Sequence, residues 1–150
     1  MNTTVQVASA PTGVGPVTVT GYSHIGVGTT NVEASRRFYC DLFGFEELPR
    51  PDFGFDGMWL RVGSLQLHFI AADELPAPGP GFAHFALHVP TDRFMETIES
   101  LREAGVEFFI EPRSRVDFGT TVWAAFVKDP SGNVVELTDV GPIRADAPVG

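Results

Sequence analysis

Two short stretches decide the fold: Ser23-His24-Ile25-Gly26-Val27 and Ala83-His84-Phe85-Ala86-Leu87. In each, a histidine begins a strand-like run, and the run leads into an amphipathic helical segment that ends near a glycine, Gly44 or Gly105. The interval from histidine to glycine is 20 residues in the first copy (24 to 44) and 21 in the second (84 to 105). Self-similarity of this kind predicts two copies of one supersecondary unit.

Each copy closes on a second strand-like run that carries another side chain able to bind a metal, His68 in the first copy and Glu136 in the second. His24 and His84 therefore hold equivalent positions of the repeat, as do His68 and Glu136. Taken singly, each histidine is more often a hydrogen-bonded structural residue, and Glu136 is a surface residue if it faces water. Taken together, three or four such side chains meeting between the copies predict a His₃Glu or His₂Glu metal site with open positions for water or substrate.

The elements between these side chains follow the order β-α-β-β-β twice. Thr30-Asn31-Val32-Glu33 is a predicted capping box for the first helix, and Thr91 or Asp92 is the expected cap of the second. Gly63-Ser64 is expected to form a two-residue hairpin turn. We therefore predict an α+β fold in which two tandem βαβββ modules form a cup-shaped mixed sheet around a metal site. The expected divisions are a flexible tail (1–16), a first module (17–75), a linker (76–81), a second module (82–140) and a C-terminal tail (141–150).

The two copies differ in length at one place. Gly44 to His68 is 24 residues, whereas Gly105 to Glu136 is 31, and we expect the extra residues in a loop over 111–120, beside the site. A loop in that place is a candidate for contacting substrate. The side chains expected to shape a substrate pocket are His88, Arg113, Arg115, Phe118 and Trp123. His88 is roughly 13 Å along a strand from His84, at ~3.3 Å per residue, and is therefore too far to bind the same ion.

The composition is that of an acidic globular protein. The 150 residues carry a formal net charge of −9, which disfavours nucleic acid and anionic membrane surfaces as partners, because both attract basic proteins. No apolar run reaches the ~20 residues of a membrane span, and the segment after Met1 lacks the basic and apolar regions of a signal peptide. The single cysteine, Cys40, has no partner for an internal disulfide, so we expect a cytoplasmic protein.

Four stretches carry a resemblance to a known family: 23–27 (SHIGV), 38–45 (FYCDLFGF), 83–89 (AHFALHV) and 129–137 (DPSGNVVEL). They resemble the vicinal oxygen chelate superfamily, which includes glyoxalase I, fosfomycin-resistance proteins, extradiol dioxygenases, bleomycin-resistance proteins and methylmalonyl-CoA epimerase. The last stretch is the most specific of the four. The resemblance covers residues 20 to 140 and implies paired βαβββ modules around a divalent metal.

The resemblance also implies site residues and a reaction class. His24, His84 and Glu136 match the usual metal positions, and His68 matches the fourth, where glyoxalase I has Glu. One divalent ion (Fe, Mn, Ni or Zn) is then expected per site, in a homodimer whose substrate is a small, oxygen-rich molecule. The implied enzyme is a glyoxalase-like lyase or isomerase that works through a metal-stabilised enolate, with Glu136 as a catalytic residue. Two alternatives are an Fe(II) dioxygenase and a metal-free, drug-binding resistance protein.

Overall fold

The computed structural model describes residue 13 and residues 15–117 and 119–141, so that most of both predicted tails and Phe118 lie outside the described residues. Within these ranges, no helix is both long enough and apolar enough to cross a bilayer. The elements of the first half are β1 (His24–Thr29), α1 (Val32–Arg36), which continues as a π-helical turn (Arg37–Leu42), β2 (Glu46–Leu48), β3 (Gly57–Val62) and β4 (Leu65–Ala71). Those of the second half are β5 (His84–His88), a 3₁₀ turn (Thr91–Arg93), α2 (Phe94–Glu103), β6 (Glu107–Asp117), β7 (Thr120–Lys128) and β8 (Val134–Thr138).

Each half forms a four-stranded mixed sheet. The strand order is β1-β4-β3-β2 in the first sheet and β5-β8-β7-β6 in the second. β1 runs parallel to β4 and β5 runs parallel to β8, whereas the remaining neighbours are antiparallel. The two halves thus share one topology, and the predicted α+β fold of two tandem βαβββ modules is confirmed.

Side chains alternate across the strands, and this alternation separates a core face from a site face on each sheet. In β4, Leu67 and Phe69 are buried, while His68 between them is only partly buried and lies on the other face. The helices cover the core faces, and the apolar stripe of α2 packs there at the spacing expected of an amphipathic helix. The core joins both modules and includes Phe38, Tyr39, Leu60, Phe69, Phe94, Ile98, Leu101, Val135 and Leu137.

The predicted hairpin turn at Gly63-Ser64 is confirmed. Val62 pairs with Leu65, and Gly63 has φ 58°, the left-handed conformation that a two-residue turn of this kind requires at its first position. The turn fixes the register of the β3–β4 pair, because in a two-residue hairpin each residue before the turn has one partner after it.

The predicted capping box of α1 is wrong. The N-cap is Asn31, whose Oδ1 accepts a 2.9 Å hydrogen bond from the backbone N–H of Ala34. Thr30 instead donates its backbone N–H to Ser131 Oγ in the second module, at 3.0 Å. A contact between modules therefore occupies Thr30, which sequence spacing alone assigned to the helix.

The predicted cap of α2 is also wrong. A 3₁₀ turn precedes the helix, so its N-cap is Arg93, which makes no capping hydrogen bond through its side chain. Thr91 Oγ1 donates instead to Asp139 Oδ2 at 2.9 Å. Thr91 therefore links the start of this helical segment to the residue that follows β8.

The loop predicted over 111–120 is wrong. β6 and β7 continue through it as a paired arm in which Arg113 lies opposite Ala124 and Asp117 lies opposite Thr120. β6 is the outer strand of its sheet, and charged side chains are common on such strands because they discourage pairing with other chains. The extra residues of the second copy therefore lengthen two paired strands instead of forming a loop.

The first module differs from expectation at two strands. The first module is expected to begin at residue 17, but its first strand begins only at His24. β2 (Glu46–Leu48) pairs with β3 and is the first of the three strands that the βαβββ order predicts after the helix. Its residues could not be located from the sequence, because its two glutamates give no apolar alternation. This strand is the fourth of the first sheet and lies at its edge.

Candidate metal centre

The second sheet holds an imidazole and a carboxylate in contact. His84, at the start of β5, and Glu136, in the middle of β8, approach with Nε2 and Oε2 3.2 Å apart. Two donor atoms bound to one ion at ~2.1 Å each lie about 3 Å from each other. The observed separation therefore suits coordination of a single ion by both side chains.

A hydrogen bond to the backbone sets the tautomer of His84. Its Nδ1 lies 3.2 Å from the backbone oxygen of Phe82, and a carbonyl oxygen can only accept. Nδ1 must then carry a hydrogen, which leaves the lone pair of the neutral ring on Nε2, the atom nearest Glu136. Metal-binding histidines are oriented in the same way by a hydrogen bond from the nitrogen that does not bind the metal.

Phenylalanines surround this pair. The rings of Phe82 and Phe126 lie 5.4 and 5.3 Å from the ring of His84, and Phe109 meets Phe82 edge to face at 5.0 Å. The side chain of Glu136 is 17% exposed. A carboxylate beside apolar rings attracts a cation more strongly than one in open water, because the local dielectric constant is lower.

The first sheet holds two stacked imidazoles. The ring centroids of His24 and His68 are 4.1 Å apart, and Trp59 stacks on the other face of His68 at 4.2 Å. Burial lowers the pKa of His68, and positive charge on His24 and Arg50 lowers this pKa further. The neutral imidazole, which is the form that binds metal, is thereby favoured. His68 Nε2 lies 2.8 Å from Gln66 Oε1, so that Nε2 carries the hydrogen and Nδ1 the lone pair.

The four predicted ligands thus come together as two pairs, one in each sheet. We call His24 with His68 the first half-site and His84 with Glu136 the second half-site. In the part of the chain that the structure describes, no three side chains of the types His, Cys, Asp and Glu gather closely enough to hold one ion. Imidazole and carboxylate donors suit Zn, Fe, Ni and Mn, so each pair has the chemistry of half a metal site.

Two of the predicted pocket residues lie beside the second half-site. Arg113 and Arg115 line a cavity of about 300 Å³ together with Glu136. Trp123 borders the same cavity, but its ring packs 6.0 Å from that of Phe94, toward the helix-covered face of the sheet. The arginines therefore remain candidates for contacting substrate, whereas the ring of Trp123 contributes to the core.

His88 occupies a different cavity. It lies opposite Thr138 in the β5–β8 register and lines a space of about 390 Å³ that Ile25 and Gly141 also border. The structure thus separates His88 from the cavity at Glu136, in keeping with the distance expected along the strand.

Sequence reasoning did not single out a set of aromatic residues beside the first half-site. Trp59 lies 6.0 Å from Phe53, and Phe53 stacks on Phe55 at 5.7 Å; we call these three residues the aromatic row. The guanidinium of Arg50 lies over both phenyl rings. A signal was present, because the turn at Gly63-Ser64 places Trp59 opposite His68.

Comparison with known proteins gives the family. The sequence profile of the Glyoxalase/Bleomycin resistance protein/Dioxygenase superfamily matches residues 21–137. The chain belongs to this superfamily. Membership confirms the resemblance inferred from the four sequence stretches, and the matched range contains both half-sites.

Relatives within the superfamily carry glyoxalase names. A "Probable lactoylglutathione lyase" from Synechocystis is 32% identical over 123 residues, which cover 76% of this chain and 91% of the relative. "Glyoxylase I 4" from Arabidopsis thaliana is 28% identical, over 81% of this chain and 72% of its own length.

Solved structures agree in fold. A glyoxalase family protein from Bacillus anthracis superimposes with a TM-score of 0.64 at 26% identity, over 80% of this chain and 94% of that one. A fosfomycin resistance protein from Listeria monocytogenes gives 0.69 at 20% identity, over 81% and 91% of the two chains. At 20% identity, the similarity to the fosfomycin resistance protein shows a shared fold only.

Proposed function

We propose that this protein is a divalent-metal-dependent enzyme of the glyoxalase type, a lyase or isomerase that acts on a small, oxygen-rich substrate. One observation carries the proposal: Nε2 of His84 lies 3.2 Å from Oε2 of Glu136, while Nδ1 of the same ring faces a backbone carbonyl. Relatives named for glyoxalase I and lactoylglutathione lyase support the reaction class.

The roles of the residues follow from their surroundings. A bound Fe, Mn, Ni or Zn ion supplies a Lewis acid that stabilises negative charge on substrate oxygens. His84 is held in the metal-binding tautomer, and Glu136 presents a carboxylate that can accept a proton from the substrate. Phe82 and Phe126 lie beside the imidazole, so apolar rings border the carboxylate that would accept this proton.

We further propose that two copies of the chain complete the centre. In this homodimer, His24 and His68 of one protomer face His84 and Glu136 of the other. Two donors are fewer than the three or four protein ligands of a typical zinc site, and each half-site offers only two. A two-fold axis that joins a first half-site to a second half-site creates two equivalent centres per dimer.

Metal content and activity test the first part of the proposal. We expect chelator-treated protein, reloaded separately with Fe, Mn, Ni and Zn, to retain one ion per chain and to form or consume lactoylglutathione. Absence of uptake with all four metals would overturn the metalloenzyme and favour a metal-free binding protein. If the protein retains Fe and consumes oxygen when an aromatic diol is added as substrate, the dioxygenase is favoured.

Subunit complementation tests the dimer. One variant carries His24→Ala and His68→Ala, and the other carries His84→Ala and Glu136→Gln, so neither contains a complete set. After mixing, unfolding and joint refolding, half of the dimers are mixed, and each has one intact centre. We expect about a quarter of the wild-type metal content to return. No recovery from refolded, dimeric protein would place the centre within one chain.

A further inference from the structure

Arg50 lies in the β2–β3 loop, with its guanidinium against aromatic rings. Its Cζ is 5.0 Å from the ring centroid of Phe53 and 5.1 Å from that of Phe55. Prolines at positions 49 and 51 flank it in sequence and restrict the backbone on both sides. The cation is thus held by π-faces and by a stiff stretch of backbone.

No carboxylate among the described residues neutralises this cation, although two are close in sequence. Asp52 Oδ1 accepts from the backbone N–H of Gly54, and Asp56 Oδ1 accepts from that of Gly57, both at 2.8 Å. By contrast, Arg36, Arg61, Arg93 and Arg102 each pair with glutamate. In a chain of net charge −9, an arginine left unpaired on the site face of the first sheet requires an explanation.

The hydrogen-bonding state of the guanidinium supplies one. Arg50 Nε is buried and has no partner, the only such side-chain atom among the described residues. The Nη atoms also lack a protein partner there, yet they are not among the buried unsatisfied atoms, so they reach solvent. Nε is closed to solvent, so a ligand can reach only the Nη edge of the guanidinium. A carboxylate from outside the chain can accept hydrogen bonds from both Nη atoms at once.

The surface beside this fork is apolar and connects to the first half-site. Phe53 and Phe55 are 48% and 51% exposed, and Trp59 continues the aromatic row to its stacking contact with His68. The aromatic row thus has the guanidinium of Arg50 at one end and the imidazoles of the first half-site at the other. A ligand that lies along the row contacts aromatic rings between these two ends.

We propose that Arg50 and the aromatic row form an anion-binding subsite of the candidate metal centre, which takes the carboxylate of a flat, aromatic acid. The carboxylate binds the guanidinium fork, and the aromatic body packs on Phe53 and Phe55. This inference rests on the proposed function only where it assigns the aromatic acid as a substrate of the metal centre. Binding of the acid itself needs no metal, because the subsite consists of protein side chains alone.

The test uses benzoate as the probe and benzamide as its uncharged counterpart, with binding measured by calorimetry on the chelator-treated full chain. We expect benzoate to bind at least about tenfold more tightly than benzamide, because only the carboxylate makes charge-assisted bonds to the fork. Equal binding of the two, or no measurable binding of benzoate, overturns the subsite. This comparison needs no variant.

Three variants locate the binding. Arg50→Met is expected to weaken benzoate binding about tenfold or more, and Arg50→Lys to weaken it less, because the charge stays while the fork is lost. Arg37→Met, which removes an exposed arginine of the first helical segment, is the matched control and should bind benzoate as the wild type does. Unchanged affinity in Arg50→Met, or an equal loss in the Arg37→Met control, contradicts the proposal.

The His84→Ala variant separates this inference from the proposed function. If benzoate still binds to it, or to a wild-type chain that takes up no metal, the subsite stands independently of the metal centre. If metal is retained and lactoylglutathione turned over while benzoate fails to bind, the metalloenzyme stands and the subsite does not.

Discussion

Tyr39 donates a 2.8 Å hydrogen bond from its hydroxyl to Asp129 Oδ2, across the junction between the two modules. The other oxygen, Asp129 Oδ1, accepts from the backbone N–H groups of Ser131 and Asn133, both at 2.9 Å. Asn133 reaches back to the carbonyl of Gly28 in β1 at 2.8 Å. The turn over 129–133 belongs to the most specific stretch of the family resemblance, and these hydrogen bonds show that it joins the two modules.

Loss of the Tyr39 hydroxyl should destabilise the protein. Tyr39 is fully buried and Asp129 is 5% exposed, so Tyr39→Phe leaves a buried carboxylate oxygen with one donor fewer. We expect the free energy of unfolding to fall by about 1.5–3 kcal/mol, the range for hydrogen bonds to charged groups. Urea denaturation measures this change. The other tyrosine, Tyr22, is 84% exposed, and Tyr22→Phe should leave the midpoint unchanged.

Alkaline pH should weaken the same junction. Burial, followed by the negative charge of Asp129, raises the pKa of Tyr39 well above its usual 10.0. The folded state then holds this proton more tightly than the unfolded state, so the stabilisation is fully present below pH 10 and declines as the pH rises beyond it. Stability measured from pH 8 to 11 should fall more steeply for the wild type than for Tyr39→Phe. Parallel pH dependence of the two proteins would show that Tyr39 does not contribute.

Metal retention should depend on His84 and not on His88. Both histidines lie on the same face of β5, but only His84 contacts Glu136, so the pair offers a matched comparison. We expect His84→Ala to lower metal affinity by at least about tenfold, since it removes a donor, and His88→Ala to retain the ion. Equal losses in both variants would indicate a general effect on the sheet.

A methyl group at Gly57 should not fit. A Cβ atom there would lie 2.4 Å from the backbone oxygen of Phe69 and 3.0 Å from Arg50 Nε. We expect Gly57→Ala to lose about 1–3 kcal/mol of stability, because backbone must shift to relieve the contact. Gly26→Ala is the control, since a Cβ at Gly26 meets nothing within 4 Å. Thermal unfolding measures the stability of both variants, and equal stability would contradict the close contact between position 57 and the backbone oxygen of Phe69.

Local rules predicted much of the first module. The two-residue turn after Val62 fixes the β3–β4 register, so the contact between Trp59 and His68 could have been derived from the sequence. The helix caps could not, because the groups that bind Thr30 and Thr91 lie far away in the chain, at Ser131 and Asp139. The length difference between the two copies also misled, because extra residues can lengthen two paired strands as readily as a loop.

The sequence by itself determined the repeat, the family and the four candidate ligands, because these depend on spacing and on the alternation of side chains along a strand. Only the tertiary structure decided which ligands meet. β1 lies beside β4 and β5 beside β8, so His24 joins His68 and His84 joins Glu136, and the two pairs stay on separate sheets. It also decided that the charge of Arg50 goes unpaired, because the nearby carboxylates Asp52 and Asp56 bind backbone amides. Which donor a carboxylate binds depends on the donors that the fold brings near it, and closeness in sequence does not predict this.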